Sequence, residues 1–324
     1  MTKVFLTGAT GFLGGHMLQE LKAAGCEVHA LSRSEANDAV LSALGATPVR
    51  AALDDLDSLK KALQGCEAVF HVAADTSMWR RNAPAQTVTN VQGTKNMLRA
   101  AQNAGAKAFV HTSSVSAYSH LVKGTLVETM DERGDESWIN YERSKFLGEQ
   151  WVRRSTVPWI IFQPSQILGP GDRHNWARLI VLIDREKLPG IPPGAGAFAD
   201  VREIAKAQVR AWQRQKFGQT YLLGGAHASF VDFVRRVGKA LGRKVPARAT
   251  PAWALMAFAR WQNFVSRFTQ KEPDITPEAA MMTSRVVRVD STKARKELDY
   301  LETPLDTLLT ETLIWMRKEG MVGK

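Results

Sequence analysis

The tightest constraint on the fold lies in the first fifteen residues. Val4, Phe5 and Leu6 form a short apolar run that reads as a buried parallel strand. It runs directly into Thr7-Gly8-Ala9-Thr10-Gly11-Phe12-Leu13-Gly14, and helical spacing follows through Leu18, Leu21 and Ala24. The three glycines have separate jobs. One permits a tight turn, the next lets backbone approach a pyrophosphate, and the third lets the helix pack close to the strand. Free N–H groups and the helix dipole then favour phosphate charge. A glycine-rich turn without a ligand is the plainer alternative. The strand before, the helix after and a second strand at 27–31 argue against it.

Strand and helix patterns go on alternating. Apolar strand runs fall at 27–31, 68–72, 108–111 and 159–162, with helical patterns at 57–63, 90–104 and 141–153. Such alternation implies right-handed crossovers and a parallel sheet. After Pro164 the texture changes. Gly169-Pro170-Gly171 and residues 189–196 are loop-rich. Helical patterns follow at 200–213, 229–241, 251–268, 291–298 and 304–318, with one strand at 220–223. The expected architecture is α/β: a doubly wound parallel Rossmann sheet with a smaller, mostly helical C-terminal substrate domain. The Rossmann domain covers 1–163, residues 200–225 return to it, and 164–199 and 226–324 form the substrate-binding part.

A chain of 324 residues is long enough for two such parts. It holds no apolar run of 18 residues, so no transmembrane helix is expected. The first strand begins within four residues of Met1, leaving no room for a signal peptide. The two cysteines, Cys26 and Cys66, show neither metal spacing nor a disulfide framework, and no metal is expected. The cytoplasm is the expected location. Residues 1–200 hold 21 Lys+Arg against 20 Asp+Glu, and residues 201–324 hold 22 against 12. The net charge of +11 therefore sits almost wholly in the last third. No nucleic-acid motif accompanies it, so nucleic acid is not an expected partner. A solvated surface, an anionic cofactor, an acidic substrate or a membrane surface fits the charge.

Tyr141-Glu142-Arg143-Ser144-Lys145 is the second strong signal. Positions i and i+4 share a helix face, so phenol and ammonium look into one cavity. A neighbouring cation favours phenolate, which makes Tyr usable as an acid or base near neutrality. Ser114 ends a strand 27 residues earlier, at the edge where ligands bind in such sheets, and its hydroxyl can hold a carbonyl oxygen.

These features together resemble the extended short-chain dehydrogenase/reductases, also called the NAD-dependent epimerase/dehydratase superfamily. The matching stretches are Thr7 to Gly14, Val69-Phe70-His71-Val72-Ala73-Ala74, Asn90-Val91-Gln92-Gly93-Thr94, His111-Thr112-Ser113-Ser114, Tyr141-x-x-x-Lys145 and Gly169-Pro170-Gly171-Asp172. Within the superfamily the chain looks most like the dihydroflavonol reductase and 3β-hydroxysteroid dehydrogenase branch. The resemblance implies that Tyr141 is the general acid/base, that Lys145 holds the nicotinamide ribose, and that Ser114 orients a carbonyl. Asn90 would anchor a relay water or the helix that shapes the site. It also implies cofactor contacts from Gly8, Thr10, Gly11, Phe12, Leu13, Gly14, Leu53, Ala73, Ala74, Thr112, Pro164 and Ser165. Substrate contacts would come from Ser114, Met78, Trp79 and Trp176. Relatives often dimerise, which makes a homodimer an expectation. Ser113, Ser116, His16, His71 and His111 are read as structural.

Strand two ends in Ser32-Arg33, where readers of the unphosphorylated dinucleotide carry a carboxylate for the ribose hydroxyl. Serine and arginine suit a 2′-phosphate instead. NADP(H) is therefore expected over NAD(H). One departure concerns adenine: where relatives carry Asp-Leu, this chain has Ala52-Leu53, with Asp54 and Asp55 just after. The expected activity is interconversion of a ketone or aldehyde and an alcohol. A nucleotide-sugar epimerase or dehydratase is the enzymatic rival, and a non-catalytic NADP(H) sensor the other. Residues 251–268 are unusually aromatic, with Trp253, Phe258, Trp261, Phe264 and Phe268. Two readings stand for them: a core helix of the smaller domain, or a helix that roofs an apolar pocket or makes peripheral membrane contact. The second implies a bulky, apolar carbonyl substrate.

Overall fold

The apolar runs pair side by side in a computed structural model that describes residues 1–323. In chain order the strands are β1 (Lys3–Thr7), β2 (Glu27–Ser32), β3 (Thr47–Arg50), β4 (Ala68–His71), β5 (Ala108–Thr112), β6 (Thr125–Leu126), β7 (Trp159–Pro164), β8 (Gln166–Leu168), β9 (Ala195–Asp200), β10 (Gln219–Leu223), β11 (Ala226–Ser229) and β12 (Arg288–Val289). The helices are α1 (Phe12–Ala23), α2 (Glu35–Ala43), α3 (Leu56–Ala62), α4 (Ala83–Thr87), α5 (Gly93–Asn103), α6 (Asn140–Arg153), α7 (Trp176–Asp184), α8 (Val201–Gln213), α9 (Phe230–Leu241), α10 (Ala252–Thr269), α11 (Pro277–Thr283), α12 (Thr292–Leu298) and α13 (Leu305–Lys318).

Seven strands make the central sheet in the order β10-β7-β5-β4-β1-β2-β3, every pair parallel. The chain starts at β1, moves outward to β3, then crosses back to β4 on the other side of β1. The crossover leaves a crevice at the carboxyl ends of β1 and β4, where ligands bind in such sheets. Helices cover both faces. Val4 and Leu6 pack toward α1 and α8, while Phe5 between them packs toward α3, α5 and α6. Burial on both faces is why these strands read as unbroken apolar runs.

The C-terminal part has its own core, built from α7, α9 and α13 around Phe198 and Phe233. It also holds a second sheet, β11-β9-β8. Residues 189–196 read as loop, yet β9 begins at Ala195 and is buried along its whole length. Its Ala-Gly-Ala-Phe-Ala composition has little intrinsic strand preference. A Cβ on Gly196 would press on the end of the Gln166 side chain, whose Oε1 accepts from Ala197 N at 3.0 Å. Neighbouring strands, not local propensity, make this segment extended. β3 carries Pro48, and as an edge strand it tolerates the missing donor.

The end of the chain returns to the central sheet. β12 pairs with β6 in a small sheet of its own, and just beyond it Ser291 Oγ accepts from Gly224 N at 2.7 Å and Lys293 Nζ donates to Thr220 O at 2.9 Å. Among the described residues no helix is long and apolar enough to cross a membrane.

Candidate active site

The turn between β1 and α1 is shaped for an anion. Gly8 has φ +75°, and a Cβ there would press to 2.9 Å from Ala73 N. A Cβ on Gly14 would sit 1.8 Å from Gly8 O, so only glycine lets α1 approach the strand. Gly11 N–H donates to Gly8 O at 2.9 Å and closes the turn. α1 starts without a side-chain cap and without an acid in its first turn. Its first N–H groups are therefore free for a ligand's phosphate oxygens. These residues fit a dinucleotide's pyrophosphate.

Thr7 ties this turn to the end of β4. Its Oγ1 accepts from Val72 N and Ala73 N, both at 3.1 Å, and so donates to His71 Nδ1 at 2.9 Å. His71 Nε2 then donates to Thr94 Oγ1 at 3.0 Å, and Thr94 donates to Asn90 O at 2.8 Å. The ring is neutral, its pKa pushed down to about 3 by burial and by the Lys145 charge. His71 thus joins β1, β4 and α5, and His111 stacks on it at 5.5 Å.

At the end of β2, Ser32 is buried and donates to Ser34 O at 3.2 Å, while Arg33 is exposed and in no ion pair among the described residues. Asp38 approaches the same place. Hydrogen bonds from Ser32 and Arg50 hold its carboxyl below the usual range, and Arg50 Nε reaches it at 2.7 Å. Leu53 O accepts from Asn96 Nδ2 at 2.9 Å, and Asp55 caps α3 rather than facing the crevice.

α6 carries Tyr141 and Lys145 across the sheet's carboxyl edge. Lys145 is buried and donates to Thr112 O at 2.8 Å. Desolvation pulls its pKa down to about 8, against the opposing charge of Glu149 one turn further on. Burial, together with the Asp75 charge, pushes the Tyr141 phenol above its ordinary value, and the Ser114 hydroxyl pulls it back. Sequence reasoning expected Lys145 to lower that phenol. In this structure burial is the largest influence on the phenol, and the net direction is upward. Ser114 also caps the turn 115–118 by accepting from Ser116 N at 3.1 Å.

Asn90 sits in a widened turn, Val88–Gln92, whose hydrogen bonds reach five residues back. The widening aims its amide inward. Oδ1 accepts from Asp75 N at 2.7 Å; Nδ2 donates to Asp75 O and to Ser144 Oγ, both at 2.9 Å. One side chain therefore holds the loop after β4 against α6. Gly148 makes this possible, since a Cβ there would meet Asn90 O at 2.6 Å.

Beyond Tyr141 the crevice widens into a two-chambered cleft. The inner chamber, about 200 Å³, is lined by Met78, Trp79, Trp138 and Tyr141 among others. The outer chamber, about 340 Å³, is lined by Trp138, Met256, Arg260, Asn263 and Met281. Arg80 and Glu278 border both.

A family model for the NAD dependent epimerase/dehydratase family matches residues 4–224. The chain belongs to this family. A Synechocystis protein provisionally named dihydroflavonol 4-reductase is 30% identical, over 98% of this chain and 95% of its own. Sterol demethylase protein B of Methylococcus capsulatus is 27% identical over 98% and 99%. The crystal structure of gox2253 superimposes with a TM-score of 0.84 at 29% identity, over 100% of each chain. The resemblance seen in the sequence is borne out, as is the doubly wound α/β fold.

The epimerase/dehydratase fold gathers the expected residues unevenly. Gly8 to Gly14, Ser32, Arg33, Ala73, Ala74, Thr112, Ser114, Pro164 and Ser165 all follow carboxyl ends of parallel strands. Met78 and Trp79 line the inner chamber with Tyr141. Trp176 does not join them. It packs edge-on against Phe198 at 5.0 Å and beside Phe233 at 5.3 Å, inside the C-terminal core. Glu278 went unnoticed in the sequence. It is buried at the join of the chambers, its Oε2 has no hydrogen-bond partner, and burial raises its pKa. A lone Glu early in a short helix gives no sequence signal.

Proposed function

We propose that this protein is an NADP(H)-dependent oxidoreductase that interconverts a bulky apolar ketone or aldehyde and the corresponding alcohol. The observation that carries the reading is the placement of Tyr141. It lines a cleft at the sheet's carboxyl edge, with Ser114 beside its phenol and the Lys145 ammonium one turn away on the same helix. A bound nicotinamide would supply or accept hydride. In the reductive direction Ser114 hydrogen-bonds the substrate's carbonyl oxygen, and Tyr141 donates the proton to it. A neutral phenol is the form needed for that step, which agrees with its raised pKa. Lys145 holds the ribose hydroxyls, and Asn90 keeps the loop after β4 and α6 in register. The glycine turn and the start of α1 hold the pyrophosphate, and Arg33, free of any acid, takes the 2′-phosphate. Asp38 near Ser32 is already neutralised by Arg50, so it does not repel that phosphate.

The apolar lining of the outer chamber, from Trp138, Met256 and Met281, supports a bulky hydrophobic substrate. Relatives point the same way; one from Stigmatella aurantiaca, 28% identical, is named as a ketoreductase of a farnesylated quinoline oxide. A second reading, a nucleotide-sugar epimerase or dehydratase, is favoured by one observation: Arg80, Arg143 and Arg260 line the cleft and suit a diphosphate. Solved epimerases, such as that of Bacillus cereus at 21% identity, share the fold. Following NADPH oxidation with apolar ketones, aldehydes and nucleotide sugars tests both. Turnover confined to nucleotide sugars, or tighter binding of NADH than of NADPH, overturns the proposal.

A further inference from the structure

We propose that the outward face of α10 docks on an anionic lipid surface. The helix turns its aromatic residues away from the protein. Trp253 is 76% exposed, Phe258 42%, Trp261 60%, Phe264 55% and Phe268 75%, while Leu255, Ala259 and Ser266 are buried beneath it. At helical spacing the five rings fall within one sector, and Arg260 and Arg267 flank it along one edge. Four of the rings also pair, Phe258 on Trp261 at 5.8 Å and Phe264 on Phe268 at 5.3 Å. The core-helix reading is thereby excluded for this face. A patch of this kind marks an interaction surface.

Charge selects the occupant. α10 contains no Asp or Glu. Lys244 and Arg248 in the segment leading into it, Arg260 and Arg267 on it, and Lys271 just after it are exposed. None of these five forms an ion pair among the described residues. A second copy seated face to face would bring like charges together with no acid on either helix to meet them. Lipid phosphates match the arginine rim, and Trp and Phe favour the boundary between headgroups and acyl chains. A helix of 18 residues, about 27 Å long, with two cations lies along that boundary instead of crossing it. Met256, Arg260 and Asn263, along the arginine edge of the same helix, line the outer chamber. Resting on the oxidoreductase reading, this sets the mouth of the cleft at the bilayer, where a lipid-soluble carbonyl compound collects.

The test is co-sedimentation of the full chain, without cofactor or substrate, with vesicles of phosphatidylcholine alone or mixed with phosphatidylglycerol. The wild-type protein is expected to pellet with the mixed vesicles, less so in high salt, and hardly with the neutral ones. A Trp253→Ala, Trp261→Ala, Phe264→Ala variant removes only exposed rings and should bind roughly tenfold or more weakly. Arg267→Glu, at the exposed rim, should weaken binding without touching the aromatic patch. Wild-type protein that stays in the supernatant with mixed vesicles overturns the proposal, as do variants that pellet equally well. So does sedimentation velocity showing a dimer that the triple variant splits, with no vesicle binding. Because the assay needs no turnover, its failure leaves the oxidoreductase reading standing, and an inactive protein that still pellets counts only against that reading.

Discussion

Tyr141 and Lys145 share one helix face but face different constraints. Tyr141→Phe keeps the ring and removes the proton donor. Turnover should fall by about 10²–10⁴-fold with NADPH affinity nearly unchanged; near wild-type turnover on an identified substrate would show that Tyr141 is not the acid. Lys145 is charged in a place that disfavours charge. Its folded pKa of about 8 lies below the ordinary 10.5, so the unfolded chain binds the proton more tightly. The penalty is complete below pH 8 and fades as pH rises toward 10.5. It amounts to about 3 kcal/mol. Lys145→Met should therefore raise stability at pH 7 by up to about 2 kcal/mol, less whatever the lost bond to Thr112 contributes, while NADPH affinity falls. Thermal unfolding and fluorescence titration read the two effects separately, and a lower melting temperature would contradict the first. In the wild type, kcat/KM for NADPH should bend downward near pH 8 as the ammonium deprotonates. Lys145→Arg should move that limb upward.

At the scale of elements, glycine spacing and one asparagine set the geometry. Gly14 and Gly15 are neighbours on α1 with different surroundings: an added Cβ would lie 1.8 Å from Gly8 O at the first and 3.9 Å from Ala9 O at the second. Gly14→Ala should cost about 3 kcal/mol or more, because backbone must move. Gly15→Ala should be neutral or slightly stabilising. Chemical denaturation of both decides it, and equal midpoints would refute the close approach of α1 to β1. Asn90→Ala leaves Asp75 N–H without its buried partner and Asp75 C=O with only Gln86 Nε2, at 3.2 Å. A loss of about 2–4 kcal/mol is expected, together with reduced kcat, since the loop after β4 is then free to leave α6. Asn90→Asp can still accept from Asp75 N but not donate to Ser144, so it should recover only part of the loss.

For the whole molecule, the order of the chain and the order of the sheet diverge. β10 is an edge strand of the central sheet, and it is held by residues from the far C-terminal region. Lys293 Nζ reaches Thr220 O, the Tyr300 hydroxyl donates to Gly224 O, and Leu298 and Tyr300 belong to the core under α1 and α8. A fragment ending at residue 225 would expose that core. It should be insoluble or lack cooperative unfolding, whereas the full chain unfolds with both parts coupled. A fragment 1–225 that melts as sharply as the whole chain would show that the two parts fold apart.

How much of this was legible in the sequence depended on the range of the interaction that fixes each feature. The glycine turn, the alternation of strand and helix, and the pairing of Tyr141 with Lys145 rest on spacings of a few residues. Backbone sterics and helical periodicity act at that range, so the fold class and half of the site could be read directly. Other features answer to partners far away in the chain. β9 is extended because β8 and β11 flank it, although its own residues favour no strand. Trp176 turns into the C-terminal core because Phe198 and Phe233 await it there. Glu278 enters the cleft because α11 packs beneath α10. The phenol's pKa follows burial, which only the packed fold creates, and not the nearest charge in sequence. The aromatic residues of α10 show the same division: their helical spacing is written in the sequence, but only the tertiary structure decides that this face looks outward.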